Sequence, residues 1–269
     1  MNNIFSNEAI ADFFQSILRI NSIFYLAIND LQERYRRTII GPMWLSISSL
    51  VLITTLYFIF GRFFKVSTEN YYSYIAIGIL SWNYITISLI DACSIFINAN
   101  GIIKQIKIPL FTHVFRSILK NFFIFLHSLI LFPLIIYFDK VNITVISSLS
   151  IIGIFMVMLN LTWMSMLLAI FSARFRDIPL FLQNFLFIFF YVTPLIWSFE
   201  ALKVSEGSSL ILLTKFNPFY NMVVVIRDPI LFSTTNIFSL LYLLFMFIFG
   251  VIMTIYFFNR YSKRVPYWL

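Results

Sequence analysis

Apolar residues in this chain come in long unbroken runs, with the polar and charged residues gathered at the ends of those runs. Residues 43–60 carry no charge. About 20 apolar residues cross a bilayer as a helix, so this run is the first predicted span. Further runs at 73–92, 118–138, 141–173, 180–197 and 237–258 bring the predicted spans to six. The run at 141–173 is longer than a bilayer needs and is expected to tilt or protrude. The run at 180–197 is rich in Phe and Leu and breaks at Thr193-Pro194. The expected fold class is all-α and integral to the membrane, a single transmembrane domain over residues 1–269.

Three stretches between the runs follow other rules. At about 100° per residue, residues 7–33 place Ile10, Phe13, Phe14, Ile17, Phe24, Ile28 and Leu31 on one side. Glu8, Asp12, Arg19, Asp30 and Glu33 fall on the other side. This predicts an amphipathic helix, broken near Asn29, lying in the membrane interface. Residues 94–115 are too polar to cross, and Pro109 is expected to end the short helix before it. Within 200–232 two apolar pieces, 210–213 and 219–226, are each too short to span. Asn217-Pro218 divides them and Arg227-Asp228-Pro229 closes the second. Re-entrant or interfacial helices fit there, because irregular backbone at membrane depth needs protein or water to satisfy it.

Composition sharpens the class. The chain is 61% hydrophobic, 20% aromatic and only 11% charged, with mean hydropathy +0.92, whereas soluble domains are roughly one-quarter charged. The net charge of +8 does not argue for nucleic acid, because the basic residues sit dispersed at span ends and not on one face. With six crossings and both termini inside, thirteen of the 19 Lys and Arg residues fall on the cytoplasmic side, as the positive-inside rule asks. The lone Cys93 leaves no intrachain disulfide and no cysteine metal cluster. The N-terminus has no basic start and carries Glu8 and Asp12 where a signal peptide needs an apolar core.

Candidate chemistry is sparse. No G-x-x-x-x-G-K-[ST] loop occurs, so the chain has no phosphate cradle of its own. His113, expected at the interface, and His127, expected between helices, are far apart and have no second ligand at metal spacing. The acids Asp91, Asp139, Asp177, Glu200, Glu206 and Asp228 are scattered over both sides, which offers no clustered pair for acid–base work. An ion-coupled carrier would hold ionisable groups at mid-span, and these spans hold essentially none. The pattern is that of a conduit energised from elsewhere.

Five segments, in order, resemble ABC-2 type polysaccharide export permeases. Arg34-Tyr35-Arg36-Arg37-Thr38 followed by Ile40-Gly41-Pro42-Met43-Trp44 is similar to their RY-(K/R)-x-(T/S)-x-L-G-x-x-W motif. Residues 97–109, INANGIIKQIKIP, are similar to their N-x-x-L-I-K-K-x-x-F-P loop. Arg174-Phe175-Arg176-Asp177 matches their RFRD, Thr193-Pro194-Leu195 their TPI, and Phe216-Asn217-Pro218 their NP before the last span. Ile40, Pro42 and Ile108 depart from the family pattern conservatively.

The resemblance implies a permease for O-antigen, capsule or teichoic acid in the bacterial cytoplasmic membrane. Two copies would pair with two copies of a cytoplasmic ABC ATPase, and ATP and Mg would bind to that partner, with no cofactor on this chain. Asn98, Asn100, Gly101, Lys104, Lys107 and Pro109 would form the coupling region (94–115) against the ATPase. Arg174, Phe175, Arg176 and Asp177 would make a second contact. Arg34, Tyr35, Arg36, Arg37, Gly41 and Trp44 would form the interface motif, and Thr193, Pro194, Asn217, Pro218 and Arg227 an outer gate. Aromatic faces receive sugars well, so Tyr57, Phe58, Tyr84, Phe187 and Tyr191 are candidate channel-lining residues. The rival readings are an ABC-2 permease for a drug or small lipid and a membrane-embedded lipid-glycan transferase.

Overall fold

The structure, a computed structural model, describes residues 8–36, 38, 40–41, 43–63, 70–198 and 209–269, and among these it is helical without a strand. Helix α1 (Glu8–Ile17) and α2 (Ile20–Tyr35) lead to α3 (Met43–Leu56), which loosens into a π-helical stretch, Tyr57–Phe63. Helix α4 (Tyr71–Ala92) follows, then the short α5 (Ile95–Asn98) and α6 (Asn100–Gln105). Helices α7 (Leu110–Ser128) and α8 (Phe132–Asp139) form one rod through a 3₁₀ turn. Helices α9 (Leu149–Arg174), α10 (Ile178–Val192), α11 (Ser209–Lys215), α12 (Pro218–Leu231), α13 (Ile237–Tyr261) and α14 (Val265–Trp268) complete the chain.

Helix α4 is the axis of the bundle. It contacts α3, α7, α8, α9, α10 and α12, and every residue from Tyr71 to Trp82 is buried. Ser73, Ala76, Gly78, Ser81, Ser88 and Ala92 are spaced along it, and small residues let neighbouring backbones approach in an apolar medium. Helices α3, α7–α8, α9 and α13 instead leave much of their surface exposed, and those surfaces are dominated by Ile, Leu, Phe and Val. Such all-round apolar helices suit a lipid surround.

Five helices are long and apolar enough to cross a membrane: Met43–Arg62, Tyr71–Ala92, Leu110–Asp139, Val145–Arg174 and Ile237–Trp268. The run expected to span at 180–197 is only a 15-residue helix, Ile178–Val192, because the chain leaves helical geometry at Thr193. Its last turn leads into a non-helical segment, 193–197, bonded to the first turn of α4. The third predicted run starts eight residues earlier than expected, at Leu110: α6 has already ended at Gln105, and Pro109 stands as the N-cap of α7. The N-terminal break falls at Leu18-Arg19 and not near Asn29, which lies inside α2.

Two glycines fix helix spacing. Pro229 sits inside α12, so the Val225 carbonyl four residues earlier lacks its usual amide partner. Helix α12 nonetheless continues to Leu231, past the point where Arg227-Asp228-Pro229 was expected to stop it. Gly153 of α9 lies against that same carbonyl, and a Cβ at 153 would fall 2.2 Å from it. At Gly250 of α13 a Cβ would fall 2.2 Å from the Trp163 ring.

Gly153→Ala is expected to force α9 and α12 apart at a cost of about 1–3 kcal/mol. Gly101→Ala, with open space around it, should leave stability unchanged or slightly raised. Thermal unfolding of the two purified variants checks both. Equal midpoints would contradict the close contact.

Candidate functional site

The residues expected to form an outer gate converge at the α4 N-terminal end of the bundle. Thr193 and Pro194 begin the non-helical segment after α10. Asn217 caps α12, its side-chain oxygen accepting from the Phe219 and Tyr220 amides, and Pro218 takes the first helical position, where its missing N–H costs nothing. The Asn217 amide also donates to Thr193 Oγ1 at 3.0 Å. Non-helical backbone in apolar surroundings leaves carbonyls that must find donors. Arg227, only 4% exposed, donates from Nη1 to Pro194 O at 2.8 Å. The Tyr74 hydroxyl lies 3.0 Å from both Pro194 O and Trp197 O, and the Tyr71 hydroxyl donates to Ile196 O.

Burying the guanidinium needs compensation of its own. Asp228 Oδ1 stands 3.6 Å from Arg227 Nε, and the Tyr74 ring centroid lies 3.9 Å from Cζ, a desolvated cation–π contact worth about 2 kcal/mol. Tyr71 and Tyr74 escaped the sequence reading because a tyrosine near a span end is ordinarily an interfacial residue. Their partners lie more than a hundred positions away. The preceding segment of the expected outer region, before Ser209, lies outside the described residues.

The residues expected to couple to an ATPase gather at the opposite end. Asn98, Gly101, Lys104 and Lys107 are exposed on or after α5 and α6, Asn100 is half-buried, and Pro109 is buried. Arg174, Phe175, Arg176 and Asp177 form the exposed turn between α9 and α10. Helix α14 lies against both groups. Asn100 Nδ2 donates to Leu269 O at 3.4 Å, and Arg174 Cζ stands 5.3 Å from the Trp268 ring and 5.4 Å from that of Phe175. Asp177 immediately precedes α10, where its negative charge suits the helix N-terminus.

Beside them a cleft of about 390 Å³ runs between α2, the end of α4 and α7. Asp91 holds Lys120 at 2.7 Å and Arg34 at 3.6 Å, and the Arg116 fork grips Asp30 with two hydrogen bonds. Arg34 of the interface motif and Asn98 of the coupling region thus line one cleft. Tyr35 is half-buried, Arg36 and Trp44 are exposed, and Arg37 lies outside the described residues. Gly41 turns the chain between α2 and α3 at φ +60°, a left-handed conformation that other residues adopt only under strain.

Asp12, expected on a solvent face, is turned inward. Its two carboxylate oxygens accept the Leu110 and Phe111 amides at 2.9 Å each, capping α7 from another helix. Burial pushes its carboxyl up, against the downward pull of those two donors. The signal was present in sequence only as a helix start after Pro109 with no capping side chain of its own. His113 is buried, not interfacial, because α7 begins before it; His127 Nε2 lies 3.3 Å from the Met43 sulfur.

The candidate channel aromatics do not form one lining. Phe58, Phe187 and Tyr191 are exposed, with Phe187 and Tyr191 edge-to-face at 5.4 Å. Tyr57 packs on Tyr71 and Tyr72. Tyr84 is buried behind α3, stacked on Phe125 at 4.9 Å, because it points toward α7 from the axis helix. Among the described residues no group of three His, Cys, Asp or Glu could hold a metal ion.

No family model matches the chain. Two curated proteins of Klebsiella pneumoniae, both O-antigen export system permease protein RfbA, are 24% and 25% identical to it over 231 residues, 84% of this chain and 85% of each relative. The resemblance to ABC-2 type polysaccharide export permeases thus extends from the five motifs to most of the chain.

Arg227→Lys keeps the charge but loses the planar fork that meets Pro194 and Tyr74 together. It is expected to lower the thermal midpoint clearly, and Arg227→Met to cost on the order of 3 kcal/mol or more by stranding Asp228 and the Pro194 carbonyl. Unfolding curves in detergent measure both, and a lysine variant as stable as the parent would contradict the arrangement.

Proposed function

We propose that this chain, which resembles the ABC-2 polysaccharide export permeases, is the transmembrane subunit of an ATP-driven ABC exporter that moves lipid-linked polysaccharide outward across the bacterial cytoplasmic membrane. Similarity to export permeases across most of the chain carries the reading. The segments for which an ATPase contact was expected are exposed together at one end of the bundle, which supports it. In this reading ATP and Mg bind to a separate ATPase, two copies of which meet two copies of this chain. Lys104, Lys107 and Arg176 face that partner, and α14 ties their two loops together.

Six crossings follow from counting α10 with the bent segment behind it as one crossing. A 15-residue helix is about 22 Å long, short of the roughly 30 Å of a hydrocarbon core, and in this reading the bent segment 193–197 completes the crossing. Both termini then lie in the cytoplasm. The α1–α2 pair rests on α7, with Thr112 bonding the buried Ser16 and Phe24 packed edge-to-face on Phe123, and leaves Phe14 and Leu18 exposed for membrane lipids. The exposed apolar faces of α3 and α10 are where a second copy would complete a channel, and Thr193, Pro194, Asn217 and Arg227 form its outer closure.

A strain lacking the protein is expected to lose surface polysaccharide while retaining lipid-linked glycan inside; loss of both pools would move the step to synthesis and overturn the reading. In the purified complex, Lys104→Glu with Arg176→Glu should abolish co-purification with the ATPase. These exposed changes should shift stability by no more than about 0.5 kcal/mol. Undiminished co-purification would remove these residues from the contact.

A further inference from the structure

Helices α9 and α13 end beside one another, and between their last turns and α14 lies a pocket of about 280 Å³. It is lined by Ile170, Phe171, Arg174, Phe175, Tyr261 and Trp268, five apolar or aromatic side chains and one cation. Ile170 and Phe171 belong to the last turn of a crossing helix, and Arg174 is its final residue. The pocket therefore passes from apolar to cationic where hydrocarbon gives way to water, the depth at which Trp and Tyr also gather.

Three guanidinium groups surround one pair of touching rings. The Tyr261 and Trp268 centroids are 5.6 Å apart. Arg174 Cζ stands 5.3 Å from the Trp268 ring, and Arg260 and Arg264 stand 5.8 and 5.9 Å from that of Tyr261. A guanidinium laid on a ring uses its face and keeps its N–H edge, whose fork geometry matches a phosphate. Among the described residues no carboxylate pairs with any of the three, whereas Arg34, Arg116 and Lys120 each have an acid. Arg174 and Arg264 are exposed and, among the described residues, donate to no protein acceptor.

The surface beside this cluster is apolar. On α13 the exposed Phe245, Phe249, Ile252 and Tyr256 recur every three or four residues, so they share one face. The next position on that face is Arg260, whose Nη1 donates to the Tyr256 hydroxyl at 3.1 Å. An apolar stripe that ends in an arginine, next to two more, has the outline of an acyl chain below a phosphate.

We propose that this pocket binds the phosphodiester of an anionic phospholipid of the surrounding bilayer. Arg174, Arg260 and Arg264 supply the cationic contacts, and Tyr261 and Trp268 are the platform that orients them. The occupant is a resident lipid and not the transported molecule. The cytoplasmic leaflet is rich in anionic lipid, and the proposal rests on the export reading only in placing this end of the bundle there. It also divides one short turn between two partners: Arg174 faces the bilayer, and Arg176 faces the ATPase.

Native mass spectrometry of the full chain in detergent, titrated separately with phosphatidylglycerol and phosphatidylcholine, tests it. The parent is expected to hold phosphatidylglycerol the more tightly. Arg174→Gln, and Arg260→Gln with Arg264→Gln, should lower that affinity roughly fivefold for each arginine removed. Phosphatidylcholine should be held equally by parent and variants, and Arg176→Gln should change neither. These positions are exposed, so the variants should fold as the parent does. Equal retention of the two lipids by the parent overturns the site, as does undiminished phosphatidylglycerol binding in the triple variant. An equal loss on Arg176→Gln reduces the effect to unspecific charge and also overturns it. Displacement of the lipid by equimolar glycerol 3-phosphate would make the pocket a site for a soluble anion instead. If Arg174→Gln abolishes co-purification of the ATPase and leaves lipid binding intact, the surface belongs to that partner and the proposal fails. None of these measurements depends on export, so the proposal and the export reading fail separately.

Discussion

Backbone that leaves helical geometry inside an apolar bundle must find hydrogen-bond donors, and that requirement organises one end of this protein. The segment 193–197 has its carbonyls met by Tyr71, Tyr74 and Arg227, from two different helices. The arginine is in turn tolerable only because Asp228, a tyrosine face and a carbonyl surround it. The α4 helix, the segment after α10 and α12 are therefore locked to one another by polar contacts. Such a junction has a discrete geometry, and a change in it would be a switch between arrangements and not a gradual deformation.

The other end uses charge instead. Asp12 caps α7 from α1, Asp30 holds Arg116, and Asp91 holds both Lys120 and Arg34. Arg34 ties α2 to the end of α4, and the other contacts join α1, α2 and α4 to α7, so the helices before the first span are fastened to the bundle core. Helix α14 adds a second fastening, between the α5–α6 loop and the α9–α10 turn.

These two ends face a common mechanical problem, since α4 runs from one to the other. Its small residues let neighbouring helices approach it closely, and Gly153 and Gly250 do the same between α9, α12 and α13. Close approach at these points holds the neighbouring helices tightly against one another along the bundle.

The membrane class, the five helices long and apolar enough to cross and the short helices around Asn217 were legible in the sequence, because unbroken apolar runs and helix-breaking prolines act locally. The motif segments were legible too, as residue strings. What the string did not carry was pairing. Asp12 looked like a solvent-facing acid and His113 like an interfacial residue. Each was misplaced because its environment is made by a helix distant in the chain. The end of α10 at Thr193-Pro194 was marked in the sequence, but the donors on α4 and α12 that satisfy the non-helical segment behind it were not. Hydropathy is a sum over neighbours along the chain and fixes which segments leave water. Which polar atoms meet inside is decided by the approach of helices far apart in sequence, and that the tertiary structure alone determined.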